Sequence, residues 1–243
     1  AVSFGMPSKS PDVWRRDVEW TKQRLPAGKI LSVSVVGSIE PGWSLDDLAD
    51  DYARCARWAI ESGADAVETN FSCPNVSTCD GQLYQDPDSA AVVAARVADA
   101  VGKVPYIIKI GHVDERNQMQ ALLDAVAPFV RGLAMTNSVA STVRASDGSL
   151  YFDGQRRGIC GDATGAASLA ETRLVAHEIA SRKLDVDVIA VGGASSLAHV
   201  REYLAAGAEN VQIATAAMVD PSVALRIRAE WSESQASSAN SQN

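Results

Sequence analysis

Short apolar runs alternate with longer amphipathic runs along the whole chain. Six of the apolar runs are rich in Val and Ile and are bounded by Gly, Pro or Asn, which is typical of buried parallel strands. The six predicted strands are residues 30–37, 66–72, 104–111, 132–138, 187–193 and 210–217.

The amphipathic runs between these strands have recognisable helix ends. Ser10 precedes Pro11, and Ser44 precedes a helix that Gly63 follows. Ser is preferred at the N-cap, which suits Ser10 and Ser44. Pro is preferred at the first helical position, as at Pro11, and Gly after the last turn, as at Gly63. A further helix is predicted from Asp86-Pro87 to Gly102. The remaining predicted helices are residues 114–130, 167–182, 196–206 and 221–231.

Strict alternation of strand and helix predicts βαβ units and a parallel sheet. The two candidate architectures are the (β/α)8 TIM barrel and the doubly wound open sheet, and no GxGxxG motif follows the first strand to favour the dinucleotide-binding form of the latter. Only about six βα units are present, so a barrel would need two strands before Ala1. We predict one barrel domain over residues 1–231 and a disordered polar tail over residues 232–243.

Composition excludes several classes of function. The chain has 243 residues, a net charge of −8 and no large basic cluster, which argues against nucleic acid as a partner. The four cysteines form no CxxC pair and the three histidines are far apart, so no metal site is expected. No apolar run approaches the ~20 residues of a membrane helix. These features predict a soluble, cytoplasmic protein without a membrane partner.

Polar residues collect at the carboxyl ends of successive predicted strands, where a parallel barrel builds its active site. They are Asn70, Ser72, Cys73 and Asn75 following the second strand, Lys109 near the end of the third, Asn137 and Ser138 at the end of the fourth, Gly192 and Gly193 at the end of the fifth, and Thr215 at the end of the sixth.

Each of these residues also has a structural interpretation. Asn and Ser are ordinary turn formers, and a free Cys is usually a small buried hydrophobe. A Lys inside the apolar run YIIKIG needs an anionic ligand or an unidentified carboxylate as its partner. Gly192-Gly193 precedes a helix start, which suits a phosphate. Cys79 and Cys160 are interpreted as bystanders. His112 is either a residue at the mouth of the site or a solvated one, and the solvated interpretation is favoured.

The motif NFSCPN resembles the NLSCPN motif of the dihydroorotate dehydrogenase family, in its cysteine-based soluble class. The resemblance continues in order over residues 2–220 and is specific because the motifs occur as a set. The matching segments are SFGMPS, SVVG, ETNFSCPNV, IIKIG, AMTNS, GICGDATG, AVGGASS and QIATAA.

The resemblance implies a TIM barrel that holds FMN and oxidises dihydroorotate to orotate in pyrimidine biosynthesis. Cys73 would be the general base, while hydride passes to flavin N5. The implied substrate-binding residues are Asn70, Asn75, Asn137 and Ser138. The implied cofactor-binding residues are Asn70, Lys109, Gly161, Gly192, Gly193, Ala214 and Thr215. The electron acceptor is open among fumarate, a quinone, or NAD through a partner subunit, and a homodimer is compatible with the family.

Three departures from the family pattern leave alternatives open. The first two strands have no counterpart, Val2 stands where the family usually has an Asn, and Ala214 replaces a frequent Gly. One alternative is the flavin domain of a dihydropyrimidine dehydrogenase acting on dihydrouracil-type substrates, although that family typically has His at the position of Asn75. The other is a non-catalytic barrel fragment or a barrel that binds a phosphate ligand without redox chemistry.

Overall fold

The main sheet of the protein has six parallel strands within the residues that the structure describes. The structure is a computed structural model, and it describes residues 1, 8–73 and 82–240. The strands pair in the order β1-β2-β3-β4-β7-β8. They are β1 Ser32–Val35, β2 Ala66–Asn70, β3 Tyr106–Lys109, β4 Gly132–Met135, β7 Asp187–Val191 and β8 Asn210–Gln212.

All six predicted strands are therefore confirmed, and a helix follows each of them along the chain. The eight helices of the described residues are α1 Pro11–Arg24, α2 Leu45–Glu61, α3 Pro87–Val101, α4 Arg116–Val126, α5 Gly165–Arg182, α6 Leu197–Ala205, α7 Thr215–Val219 and α8 Val223–Asn240. The α2 start has the predicted cap: Ser44 Oγ accepts from Asp47 N, and the Asp47 carboxylate accepts from Ser44 N. Helix α4 ends before Pro128, which cannot donate a hydrogen bond to a further turn.

The outer face of the sheet packs against the helices and forms the main apolar core. Alternate residues of a strand point to opposite faces. Tyr106 and Ile108 of β3 are fully buried in this core, together with Leu122 and Leu123 of α4. The inner face carries Ile107 and Lys109 of the same strand and has its own small apolar cluster.

The sheet is curled. Gln212 lies on β8, at one end of the strand order, yet its Nε2 donates a hydrogen bond to Glu68 Oε2 on β2 at 2.9 Å. A flat sheet would separate these strands by the width of the three strands between them, at about 4.8 Å per strand spacing. The contact across the inner face therefore identifies a partial barrel, as the strand–helix alternation predicts.

Two features of the chain were not predicted. Strands β5 Val139–Thr142 and β6 Arg156–Ile159 form an antiparallel hairpin apart from the main sheet. None of their residues is buried and half of them are exposed, so they lack the apolar run that marks a buried strand. The last predicted strand, residues 210–217, is also too long, because β8 ends at Gln212 and Thr215 begins α7.

The predicted disordered tail also differs from the structure. Helix α8 continues past Trp231 to Asn240. The guanidinium of Arg201 lies 5.8 Å from the centre of the Trp231 ring, and its Nη2 donates to Ser234 Oγ at 2.6 Å. These contacts with α6 extend the helix into a segment whose polar composition alone predicts disorder.

Candidate active site

The inner face of the curled sheet has an apolar side and a polar side. Ile107, Ala134, Ile189 and Val191, from β3, β4 and β7, pack together on the apolar side. The polar side carries Ser34, Glu68, Lys109 and Gln212, from β1, β2, β3 and β8. A flat ring system with one charged or polar edge would suit such a divided surface.

Glu68 is at the centre of the polar side, and the sequence analysis assigned no role to it. Its side chain is 6% exposed. Oε1 accepts a hydrogen bond from Ser34 Oγ at 2.8 Å, and Oε2 accepts from Gln212 Nε2 at 2.9 Å. A sequence signal existed, because Glu68 is a charged residue in a buried strand two positions before Asn70 and therefore on the same face.

Lys109 has the carboxylate partner that its apolar surroundings require. Its Nζ lies 3.4 Å from Glu68 Oε1, and its side chain is 18% exposed. Of the two partners that the sequence left open, an anionic ligand or a carboxylate, the structure identifies the carboxylate. The ammonium group has three donors, so this one contact leaves capacity for a ligand.

Asn70 ends β2 with its backbone and side chain both engaged. Tyr52 Oη donates to the Asn70 carbonyl at 3.0 Å. Asn70 Oδ1 accepts from Ser72 N at 3.1 Å and from Ser72 Oγ at 3.0 Å. This local bonding fixes the amide plane, and within residues 8–73 and 82–240 the Nδ2 donors remain available for another acceptor.

Cys73 is 3% exposed and belongs to the main apolar core. The Ser72 carbonyl beside it accepts a hydrogen bond from Gln82 Nε2 at 2.7 Å. Residues 74–81, which include the predicted substrate-binding residue Asn75 and the bystander Cys79, lie outside the described residues, as does Val2.

Asn137 and Ser138 lie just after the end of β4 at Met135 and are half-buried. Asn137 N donates to the Ile110 carbonyl, after β3, at 2.8 Å. The Cys160 thiol lies 3.5 Å from the Asn137 carbonyl, and burial raises the pKa of this thiol. The positive charge of Lys109 acts in the opposite direction and lowers the pKa of the same thiol. Cys160 therefore lies beside the predicted site residue Asn137.

The predicted phosphate-side glycines are brought together from three segments. Gly161 has φ +75°, and a Cβ there would lie 3.0 Å from Thr215 Cγ2. Gly193 has φ +67°, and a Cβ there would lie 3.0 Å from Gly165 Cα. The loop after β6, the turn after β7 and the start of α7 after Ala214 are thus in contact. These positions require Gly because L residues rarely adopt such φ angles and the space is already filled.

A cavity of about 330 Å³ adjoins the Gly192-Gly193 turn. Its lining residues are Asp162, Gly165, Ala166, Leu169, Gly192, Gly193, His199, Glu202 and Tyr203. Tyr203 Oη donates to the Gly192 carbonyl at 2.5 Å, which fixes the turn from the side of α6. The burial of this tyrosine raises its pKa, so it stays a neutral donor.

Glu171 of α5 is a second buried carboxylate that joins the ends of β3 and β4. It accepts from Val113 N at 2.9 Å and from the Thr136 hydroxyl, and it lies 3.2 Å from His112 Nδ1. Burial raises the pKa of Glu171. The interpretation of His112 as a merely solvated residue is therefore wrong, because its ring is bound to Glu171.

The described part of the chain contains neither a metal site nor a membrane-spanning helix. Residues 8–73 and 82–240 contain no group of three His, Cys, Asp or Glu side chains placed to hold a metal ion. No helix among these residues is long and apolar enough to cross a membrane.

The fold and the position of the polar residues define a partial barrel of βα units with a candidate site at the carboxyl ends of the strands. Comparison with known proteins gives the family. The profile of the family described as dihydroorotate dehydrogenase matches residues 3–234. The chain belongs to the dihydroorotate dehydrogenase family.

Individual relatives agree with this assignment. The chain is 29% identical over 230 residues to a dihydroorotate dehydrogenase of Dictyostelium discoideum, covering 92% of this chain and 61% of the relative. It is 29% identical over 199 residues to the catalytic subunit of the dihydroorotate dehydrogenase B (NAD(+)) of Staphylococcus carnosus, covering 81% of this chain and 60% of the relative. The chain thus spans about three fifths of the length of these relatives.

A solved structure supports the fold. The crystal structure of DHODH from Eimeria tenella in complex with ferulenol matches with a TM-score of 0.74. The match covers 93% of this chain and 65% of that one, at 20% identity. The prediction of a partial TIM barrel of this family is confirmed.

Proposed function

We propose that this chain forms the flavin-facing and substrate-facing part of an FMN-dependent oxidoreductase that converts dihydroorotate to orotate in pyrimidine biosynthesis. The observation that carries the proposal is that Asn70, Lys109 and Asn137 lie at the carboxyl ends of three adjacent strands, at the same end of the sheet as the Gly192-Gly193 turn. Family membership supports the same reaction.

The described residues fit FMN. Gly161, Gly192 and Gly193 have positive φ angles, and turns of this kind can present backbone N–H groups to a phosphate. Lys109 supplies a cation on the polar side of the sheet interior. Ala214 and Thr215 complete the phosphate side in the proposal, and Asn70 contacts both the flavin and the substrate. When bound, FMN supplies the two-electron chemistry by accepting hydride at N5.

The chain's own residues would orient the substrate and move one proton. Asn70, Asn75, Asn137 and Ser138 would bind the amide edges of the pyrimidine ring, because a carboxamide offers both a donor and an acceptor. Cys73 Sγ would take the proton from the carbon next to a ring carbonyl, while the adjacent carbon loses hydride and a carbon–carbon double bond forms. The buried position of Cys73 means that substrate reaches the thiol only if this residue leaves its place in the core.

A visible absorption spectrum tests the proposal. The purified chain is mixed with FMN, freed of unbound FMN, and treated anaerobically with dihydroorotate or, in parallel, with dihydrouracil. Bleaching of the flavin band with dihydroorotate is the expected result. Bleaching with dihydrouracil alone would move the substrate to the other dihydropyrimidine class, and a colourless chain would contradict flavin retention by these residues.

The electron acceptor, which reoxidises the reduced flavin, is less constrained by the residues of this chain than the dihydropyrimidine substrate is. The Staphylococcus carnosus relative is named for NAD(+), as a catalytic subunit. Once the flavin is reduced, its reoxidation can be followed separately with fumarate, with a soluble quinone, and with NAD and a candidate partner subunit. The acceptor that restores the absorption band fastest assigns this half-reaction.

A further inference from the structure

Glu68 is a buried charged residue that the proposed reaction does not use. Its carboxylate is bound by three groups from three other strands: Ser34 of β1, Lys109 of β3 and Gln212 of β8. All three partners are donors and an ionised carboxylate is an acceptor, so the bonding matches the charged form. A purely apolar residue at this position could not make any of these contacts.

The contact between Glu68 and Lys109 has the geometry of a tether. Its 3.4 Å separation is longer than the ~2.8 Å of a tight charge-assisted hydrogen bond. The ammonium group is therefore attracted to the carboxylate without being fully bonded to it. A Lys side chain has four rotatable methylenes, and without a nearby carboxylate its charge would turn toward water at the open side of the sheet.

Gln212 makes this tether depend on the curl of the sheet. Its amide bonds the second oxygen of Glu68 from a strand at the far end of the strand order. Glu68 is thus fixed from both sides of the sheet interior, and the position of Lys109 follows from it. Ser34 donates from the neighbouring strand β1, where its register partner is Glu68 itself.

We propose that Glu68 is a positioning residue, which holds the Lys109 ammonium group on the polar side of the sheet interior and aims it at the flavin. This inference rests on the proposed function, in which Lys109 contacts FMN. The Glu68–Lys109 tether itself is a property of the chain alone and can be tested without flavin.

The first test measures the reactivity of Lys109 in the flavin-free chain. Amines are labelled with a low concentration of acetic anhydride, and the modified peptides are quantified by mass spectrometry with the exposed Lys103 as internal reference. Glu68→Gln is expected to accelerate labelling of Lys109 several-fold, because the Lys109 side chain turns toward solvent once its carboxylate partner is removed. Glu68→Asp, which keeps the charge, should give an intermediate rate.

The matched control is Glu61→Gln, which removes a carboxylate that pairs with Arg15 at the surface. It should leave the Lys109 rate unchanged. An unchanged Lys109 rate in a folded Glu68→Gln protein would overturn the proposal. If that variant fails to fold, Gln212→Ala decides, since it keeps every charge but loosens Glu68. It should accelerate Lys109 labelling to a smaller extent, and no acceleration would contradict the tether.

The second test is the reduction potential of bound FMN. A cation near the ring favours the reduced anion, so losing the Lys109 position should lower the potential in Glu68→Gln. The shift should vanish in a Lys109→Gln background. A raised potential that persists in that background would mean that Glu68 acts through its own charge, and it would overturn the proposal. A chain that shows the labelling effect but binds no flavin would instead refute the proposed function.

Discussion

Glu171 Oε2 lies 3.2 Å from His112 Nδ1, so a helix carboxylate binds a loop histidine that follows the strand carrying Lys109. The pKa of His112 is raised, chiefly by this hydrogen bond and also by the charges of Glu171 and Asp114. The carboxylate and the imidazole together retain a proton more strongly than either group does in water, and the loops after β3 and β4 depend on that pair.

The His112–Glu171 pair predicts a pH dependence of stability. A pKa that is higher in the folded state gives stabilisation that is complete below the unfolded value, near 6.5. This stabilisation is lost as pH rises through the folded value. His112→Gln should therefore cost more unfolding free energy at pH 6 than at pH 9, which urea denaturation can measure. His177→Gln, on the exposed face of α5, is the control, and an equal cost of His112→Gln at both pH values would refute the prediction.

The proposed base predicts a large kinetic effect at Cys73. Replacing Cys73 with Ser or Ala should slow flavin bleaching by dihydroorotate by about 10²–10⁴-fold, the usual contribution of a positioned base. Anaerobic stopped-flow absorbance measures this rate directly. Cys55→Ala is the matched control, because Cys55 is a partly buried thiol of α2 whose pKa is raised to about 11 and which has no place in the site. Equal rates in the Cys73 variants and the wild type would exclude Cys73 as the base.

The strands could be predicted because their information is local. Each buried strand is a short apolar run, such as the one around Tyr106–Lys109, and the alternation with helices fixes the parallel order. The hairpin of β5 and β6 could not be predicted, because its residues, none of them buried, show neither the apolar periodicity of a helix nor that of a buried strand. Helix α8 extends through Ser234 because of contacts with Arg201, which lies 33 positions earlier in the chain.

The location of the candidate site at the strand ends was predictable, and the partners of its residues were less so. Asn70, Lys109 and Asn137 stand at strand ends that a parallel sheet must bring together. The partner of Lys109 was not predictable from spacing, since Glu68 is 41 positions away and its own bond to Gln212 spans 144. The position of Cys160 beside Asn137 was not predictable, because the loop containing it returns to Asn137 only after the hairpin is formed.

A single methyl group at Gly192 is predicted to destabilise the turn that would bind the FMN phosphate. Gly192 has φ +137°, and a Cβ there would lie 2.2 Å from Ser168 Oγ. Gly192→Ala should lower the unfolding free energy by roughly 2–4 kcal/mol through backbone strain and overpacking, and it should weaken FMN binding. Fluorescence titration with FMN and urea denaturation measure the two effects.

Gly28→Ala is the matched control for that substitution. Gly28 also has a positive φ of +78°, but nothing lies within 4 Å of a Cβ there. It should cost only the conformational strain, about 1–2 kcal/mol, with FMN affinity unchanged. If the two variants lost the same stability and neither changed FMN affinity, the Gly192 turn would not be the close-approach site that the structure indicates.

The hydrogen bond from Tyr203 to Gly192 is predicted to stabilise the same turn, and its effect can be measured without changing Gly192. Tyr203 is 3% exposed, and its hydroxyl donates to the Gly192 carbonyl at 2.5 Å. Tyr203→Phe keeps the ring in place but leaves that carbonyl without this donor. The expected cost is about 1 kcal/mol of unfolding free energy, together with weaker FMN binding, because the turn loses its support from α6.

Tyr151→Phe provides the comparison, since Tyr151 is exposed on the hairpin segment and should change neither quantity. The double variant Tyr203→Phe with Gly192→Ala tests whether the two residues act on one element. Because they are in direct contact, their effects on FMN affinity should be less than additive. Full additivity would mean that Tyr203 acts elsewhere, and that the Gly192-Gly193 turn keeps its conformation without the hydroxyl.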